Sequence, residues 1–116
     1  MTKIYHNPRC AKSREALKLL EEKGIKAEVV KYMETPLTPA KLEDVLTALE
    51  MDPEELIRKG EKIWKEEYAD KELEREEFLL AMIEHPQLME RPIVEHGKKA
   101  VVARPSTRIN ELFNEG

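Results

Sequence analysis

Three features of the sequence predict an α/β fold. A strand, a helix and a strand open the chain, amphipathic helices fill its middle, and two strands and a helix close it. Lys3-Ile4-Tyr5 is short and β-prone, and His6-Asn7-Pro8 ends it. From Ser13 the pattern is helical, with Ala16, Leu17 and Leu20 on one face and charges opposite. Gly24 stands where a helix C-cap would. Residues 27–31, AEVVK, read as a second strand. The first third is therefore a β-α-β unit, with Cys10 at its first turn.

The middle reads as helical. Thr38 before Pro39 is an N-cap and first-turn pair, followed by Leu42, Val45, Leu46 and Leu49 at helical spacing. Asp52-Pro53-Glu54-Glu55 is a capping-box start for a short helix with Leu56 and Ile57, ended by Gly60. Ile63 and Trp64 mark another amphipathic piece. Phe78, Leu79, Met82 and Ile83 mark a longer helix, which His85-Pro86 closes. The charge run at 66–77 reads as a solvated helical surface. In the last third, Pro92-Ile93-Val94-Glu95 and Ala100-Val101-Val102-Ala103 flank a hairpin turn with Gly97 near its centre. Ser106 then reads as the cap of a terminal helix carrying Ile109, Leu112 and Phe113.

The 116 residues suffice for one domain and are too few for two ordinary ones. With 20 basic and 24 acidic residues the net charge is -4, so no electrostatic pull toward nucleic acid or an anionic membrane is expected. No apolar run approaches the roughly 20 residues a membrane span needs. MTKIYHNPRC reads as too polar for a signal peptide. A single cysteine forms no internal disulfide, and the expected setting is a reducing cytoplasm.

Cys10 lies between a strand and a helix. The helix N-terminus presents unpaired N–H groups and a positive partial charge, and both favour a thiolate. His6, Arg9, Lys12 and Arg14 add positive charge nearby in sequence. Ser13, three residues on, can turn its hydroxyl back at the sulfur, so the spacing keeps the geometry of a redox pair without the resolving thiol. Free cysteines are often simply buried. This one sits instead among four cationic or titratable side chains after a proline-ended strand. His6 could equally be a hydrogen-bonded loop histidine, and some of the cations must face water.

Three further arginines stand out. Arg58 ends the short helix after the capping box, and Arg91 and Arg104 each precede a proline on either side of the hairpin. A residue before proline is held extended. An arginine fork matches two oxygens of a tetrahedral oxyanion. Each alone reads as a surface ion-pair partner; together they matter only if the fold gathers them near Cys10.

YHNPRCAKSRE at 5–15, ETP at 34–36, LIRKG at 56–60, HPQLMERPIV at 85–94 and ARPS at 103–106 occur in this order along the chain. As a set they resemble the ArsC-like, glutaredoxin-dependent arsenate reductase family, nearly end to end, and the chain looks like one of its shorter members. The resemblance implies a thioredoxin-like mixed sheet with a helical insertion, as one domain over 1–116. Its core would span 1–33 and 86–114, and its insertion 37–85. It implies a cis peptide bond before Pro92, Cys10 as nucleophile, His6 and Ser13 as residues that tune the thiol, and Arg58, Arg91 and Arg104 as oxyanion ligands. Asn7 and Arg14 match the motif in supporting positions. No metal and no bound cofactor are expected.

Arsenate to arsenite is a two-electron reduction, so two thiols must end as a disulfide, and this chain offers one. Glutathione as co-substrate and glutaredoxin as partner would supply the rest, in a cytoplasmic detoxification reaction. Two other readings share the scaffold. One is a monothiol oxidoreductase in which the arginines hold another anion. The other is a thiol-responsive regulator that binds RNA polymerase, which shares Arg91-Pro92-Ile93 and resembles the chain less at HNPRC and LIRKG.

Overall fold

Side chains alternate across a strand, and in β1 (Thr2–Tyr5) this alternation divides the core. Ile4 packs with Ala16, Leu20, Val94 and Ile109, while Tyr5 packs with Leu42, Leu46, Leu56 and Ile93. The computed structural model describes residues 1–113. After β1 come α1 (Ala11–Glu22), β2 (Ala27–Val30), α2 (Pro39–Leu49), α3 (Pro53–Leu56), α4 (Lys62–Glu67) and α5 (Arg75–Glu84). A 3-10 turn at Pro86–Leu88 leads to β3 (Ile93–His96) and β4 (Lys99–Val102), and another at Ser106–Ile109 leads to α6 (Asn110–Phe113).

The sheet order is β2-β1-β3-β4. β1 runs parallel to β2 and antiparallel to β3, and β3 and β4 form the hairpin. α1 and the turn before α6 cover one face, and the helices between β2 and β3 cover the other. This is a thioredoxin-like mixed sheet with helices inserted between its two halves. Among the described residues, no helix is long and apolar enough to cross a membrane. Residues 114–116, which end the expected 86–114 segment and the 1–116 domain, lie outside the described residues.

Local chemistry explains the boundaries. Helix α1 starts at Ala11, two residues earlier than the apolar spacing alone indicates, with Cys10 as its N-cap. Its end is a Schellman turn: Gly24 takes φ 72, and Ile25 N–H donates to Leu20 O at 2.9 Å. Thr38 caps α2 by accepting from Lys41 N–H at 3.2 Å. Glu55 and Glu77 accept from the N–H groups of Asp52 and Glu74, both at 3.0 Å, which starts α3 and α5. The hairpin turn is the pair Gly97-Lys98, with Gly97 at φ 63.

Three expectations need correction. The short helix expected to carry Ile57 and end at Gly60 stops at Leu56, because Ile57 turns extended and bridges to Met89. The charge run at 66–77 is not one helix: α4 stops at Glu67 and α5 begins only at Arg75. Of the intervening residues, 69–72 and Glu74 are exposed while Tyr68 and Leu73 pack on the core, and the Glu74–Glu77 pair restarts the helix. Ser106 does not cap the terminal helix by its side chain; it is the first residue of the 3-10 turn, behind Pro105. The peptide bond before Pro92 is cis as expected, and so is Arg104–Pro105.

Candidate active site

The strand register brings the site together. Tyr5 pairs with Val30 and with Ile93, and Ile93 pairs with Val102. Beyond these pairs the sheet continues by single bonds, His6 N–H to Val30 O and Ala103 N–H to Pro92 O. The residues that leave this one end of the sheet are therefore His6 to Cys10, Lys31-Tyr32, Arg91 and Arg104. Arg58 joins them from the insertion. Its N–H donates to Leu88 O at 2.7 Å, and Glu90 N–H donates to Leu56 O at 2.9 Å. These bonds clamp the Arg58 segment onto the chain that runs into Arg91.

Cys10 is half-buried and extended, at φ -93 and ψ 121, as the N-cap of α1. Its N–H donates to Asn7 O at 2.9 Å, so the loop is a tight turn ahead of the helix. Asn7 builds that turn from its side chain as well, because its Oδ1 accepts from Arg9 N–H at 3.1 Å. No side-chain cap satisfies the first N–H groups of α1, and its first turn carries no acidic residue. The helix dipole thus meets the sulfur without a competing carboxylate in that turn.

His6 is buried, and its Nδ1 lies 2.7 Å from Ser13 Oγ. Ser13 is fully buried, and the same oxygen accepts from Asn7 N–H at 3.1 Å. The Ser13 hydroxyl therefore braces the loop through His6 and Asn7 instead of turning to the Cys10 sulfur. Nor does His6 add a positive charge. Burial pushes its pKa below the ordinary range, and Lys31 and Arg14 push the same way. Of the other flanking cations, Arg9 is exposed, and Arg14 and Lys12 have partners. Arg14 Nη1 donates to Pro8 O at 2.9 Å, and Lys12 faces water beside Glu15.

The three arginines differ. Arg58 is held by two carboxylates, Glu90 at 3.0 Å from Nε and Glu61 at 3.2 Å from Nη1. Arg104 is exposed and reaches Arg91 O at 3.4 Å. Arg91 is the one with buried donors to spare, since its Nε and Nη1 are buried without a hydrogen-bond partner. Among the described residues only one other buried side-chain polar atom is in that condition, the hydroxyl of Tyr32. Tyr32 is 1% exposed, and burial raises its pKa, with the charges of Cys10, Arg58 and Glu90 acting on it. Sequence reasoning missed Tyr32 because a tyrosine after a strand reads as core. It missed Glu61 and Glu90 because neither stands in a recognisable pattern with Arg58. Among the described residues no three His, Cys, Asp or Glu side chains gather as a metal site.

The ArsC family matches residues 5–112, from the strand before Cys10 to beyond Arg104. The chain belongs to the ArsC family. It is similar to YfgD, an uncharacterised protein of Escherichia coli, with 49% identity over 112 residues, 95% of this chain and 94% of that one. It is 46% identical over 113 residues to an arsenate reductase of Neisseria meningitidis, covering 96% and 97% of the two chains. Among solved structures it resembles an arsenate reductase from Vibrio cholerae, with a TM-score of 0.92 and 38% identity over 96% of each chain. Within the matched residues, Cys10 and the two arginines that precede cis prolines, Arg91 and Arg104, lie at one end of the sheet.

Proposed function

We propose that this ArsC-family chain reduces arsenate to arsenite, with Cys10 as nucleophile and glutathione and glutaredoxin as external thiol donors. The observation that carries the reading is the pairing of a half-buried cysteine at a helix N-terminus with the unpartnered, buried donors of Arg91 at the same sheet end. A buried guanidinium without an acceptor is costly in an apolar setting and is satisfied by an oxyanion. The naming of similar chains as arsenate reductases supports the choice of anion.

In this reading the Cys10 thiolate attacks the arsenic of dihydrogen arsenate, an As–S bond forms, the As–O bond of one hydroxyl breaks, and that hydroxyl leaves as water by taking the proton of the other. Arg91 and Arg104, with Arg58 held in place by Glu61 and Glu90, offset the charge of one anion approaching another. A glutathione thiolate then attacks Cys10 Sγ. The S–S bond forms, the As–S bond breaks, and its electron pair stays on arsenic, which leaves as arsenite. The two sulfurs lose the two electrons that arsenic gains. A glutaredoxin thiol takes the glutathione and frees Cys10. His6, kept neutral, and Ser13 fix the loop that aims the sulfur. A reducing cytoplasm is the setting this chemistry requires.

The test is arsenate-dependent NADPH oxidation with glutathione, glutaredoxin and glutathione reductase present. Wild type should turn over and Cys10→Ser should not. Equal activity in the two would overturn the nucleophile assignment. No activity in wild type, with Cys10 still accepting glutathione, would move the function to a monothiol exchange on another substrate.

A further inference from the structure

Tyr32 is where the fold leaves something unexplained. It lies two residues beyond the Tyr5–Val30 pair, in the turn that follows β2 and is closed by Glu34 N–H and Thr35 N–H on Lys31 O. Its ring packs in the core formed by the insertion helices, and its hydroxyl is buried without a partner. Buried hydroxyls ordinarily find one. Tyr5, at the end of β1, shows the ordinary case, because its hydroxyl donates to Glu95 Oε1 at 3.1 Å. The Tyr32 hydroxyl also makes no hydrogen bond to the Cys10 sulfur, although Cys10, Arg58 and Glu90 are all within electrostatic reach. Among the described residues the unpartnered buried polar atoms are one on Tyr32, just after β2, and two on Arg91, just before β3, and both segments lie at the same end of the sheet. All three can donate.

We propose that Tyr32 is a further substrate-binding residue, whose hydroxyl donates a hydrogen bond to an oxygen of the oxyanion held at Cys10. The inference rests on the arsenate reading above and names the residue that completes its donor set. A phenol serves here as a neutral donor. It adds no charge beside Arg58 and Arg91, and burial keeps its proton in place. In the absence of an anion the hydroxyl only destabilises the fold, because a phenylalanine would fill the same space without an unmet donor.

The experiment is protection of Cys10 from iodoacetamide by inorganic arsenate, without glutathione, in wild type, Tyr32→Phe and Tyr5→Phe, with thermal melts of each. Tyr32→Phe should weaken the arsenate protection constant about tenfold. It should melt at or above the wild-type temperature. Tyr5→Phe, which breaks a bond away from the site, should keep the protection constant. An unchanged protection constant in Tyr32→Phe would overturn the inference alone, as would a fall in its melting temperature, which would give the hydroxyl a structural role. Wild type unprotected by arsenate would overturn the arsenate reading and this inference with it.

Discussion

His6 and Ser13 are the residues whose geometry departs most from their sequence reading. Both are buried, and Ser13 Oγ serves His6 Nδ1 and Asn7 N–H at once. Ser13→Ala would leave two buried polar groups unmet and should cost about 1–3 kcal/mol in urea unfolding. His6 also makes stability pH-dependent. Its pKa in the folded protein is lowered, so in the window below the ordinary value of about 6.5 the unfolded chain holds a proton that the folded chain does not. Its contribution is complete above that value and is lost as pH falls through the window. His6→Gln should therefore lose less unfolding free energy than wild type between about pH 7.5 and about pH 5.5, as read by urea titrations at the two pH values. A larger loss in the variant would contradict the assignment of a neutral His6.

At the scale of elements, the caps separate folding from chemistry. Helix α2 is started by Thr38, whose oxygen meets Lys41 N–H. Thr38→Ala should cost about 1 kcal/mol, measured as a lowered unfolding midpoint with no change in Cys10 alkylation rate. Helix α1 is started by Cys10, which supplies no side-chain hydrogen bond to the helix. Serine is a strong N-cap. Cys10→Ser should therefore leave stability unchanged or raise it by up to about 1 kcal/mol, while abolishing reduction.

For the whole molecule, the insertion and the sheet share one core. Tyr5, Ile93 and Ala100 from the strands pack with Leu42, Leu46, Leu56, Trp64 and Met82 from the helices. The second core, on the other face, joins α1 to the same strands through Ile4 and Val94. With β1 and β3 buried on both faces, neither half has a separate interior. Urea unfolding followed by the fluorescence of Trp64, the single tryptophan, and by far-UV circular dichroism should therefore give coincident transitions. Leu46→Ala, far from Cys10 in sequence, should lower both together by about 2–5 kcal/mol. Separated transitions would mean that the inserted helices unfold on their own.

The sequence by itself determined most of the elements and the place of Cys10 between a strand and a helix. Period-2 and period-3.6 patterns, Gly24, Thr38-Pro39 and Gly97-Lys98 act through neighbours a few residues away, so a linear reading reaches them. Cys10 was legible for the same reason, as its turn and helix are local. The tertiary structure alone decided which donors are free. Arg58, Arg91 and Arg104 look alike in the sequence, yet one is held by Glu61 and Glu90, one is exposed, and one keeps two buried unpartnered nitrogens. Likewise Ser13 turned to the loop, His6 lost its charge to burial, and Tyr32 brought a hydroxyl to the site from beyond a strand. Each of these outcomes depends on desolvation and on partners from other elements, which only the packed sheet end brings into range.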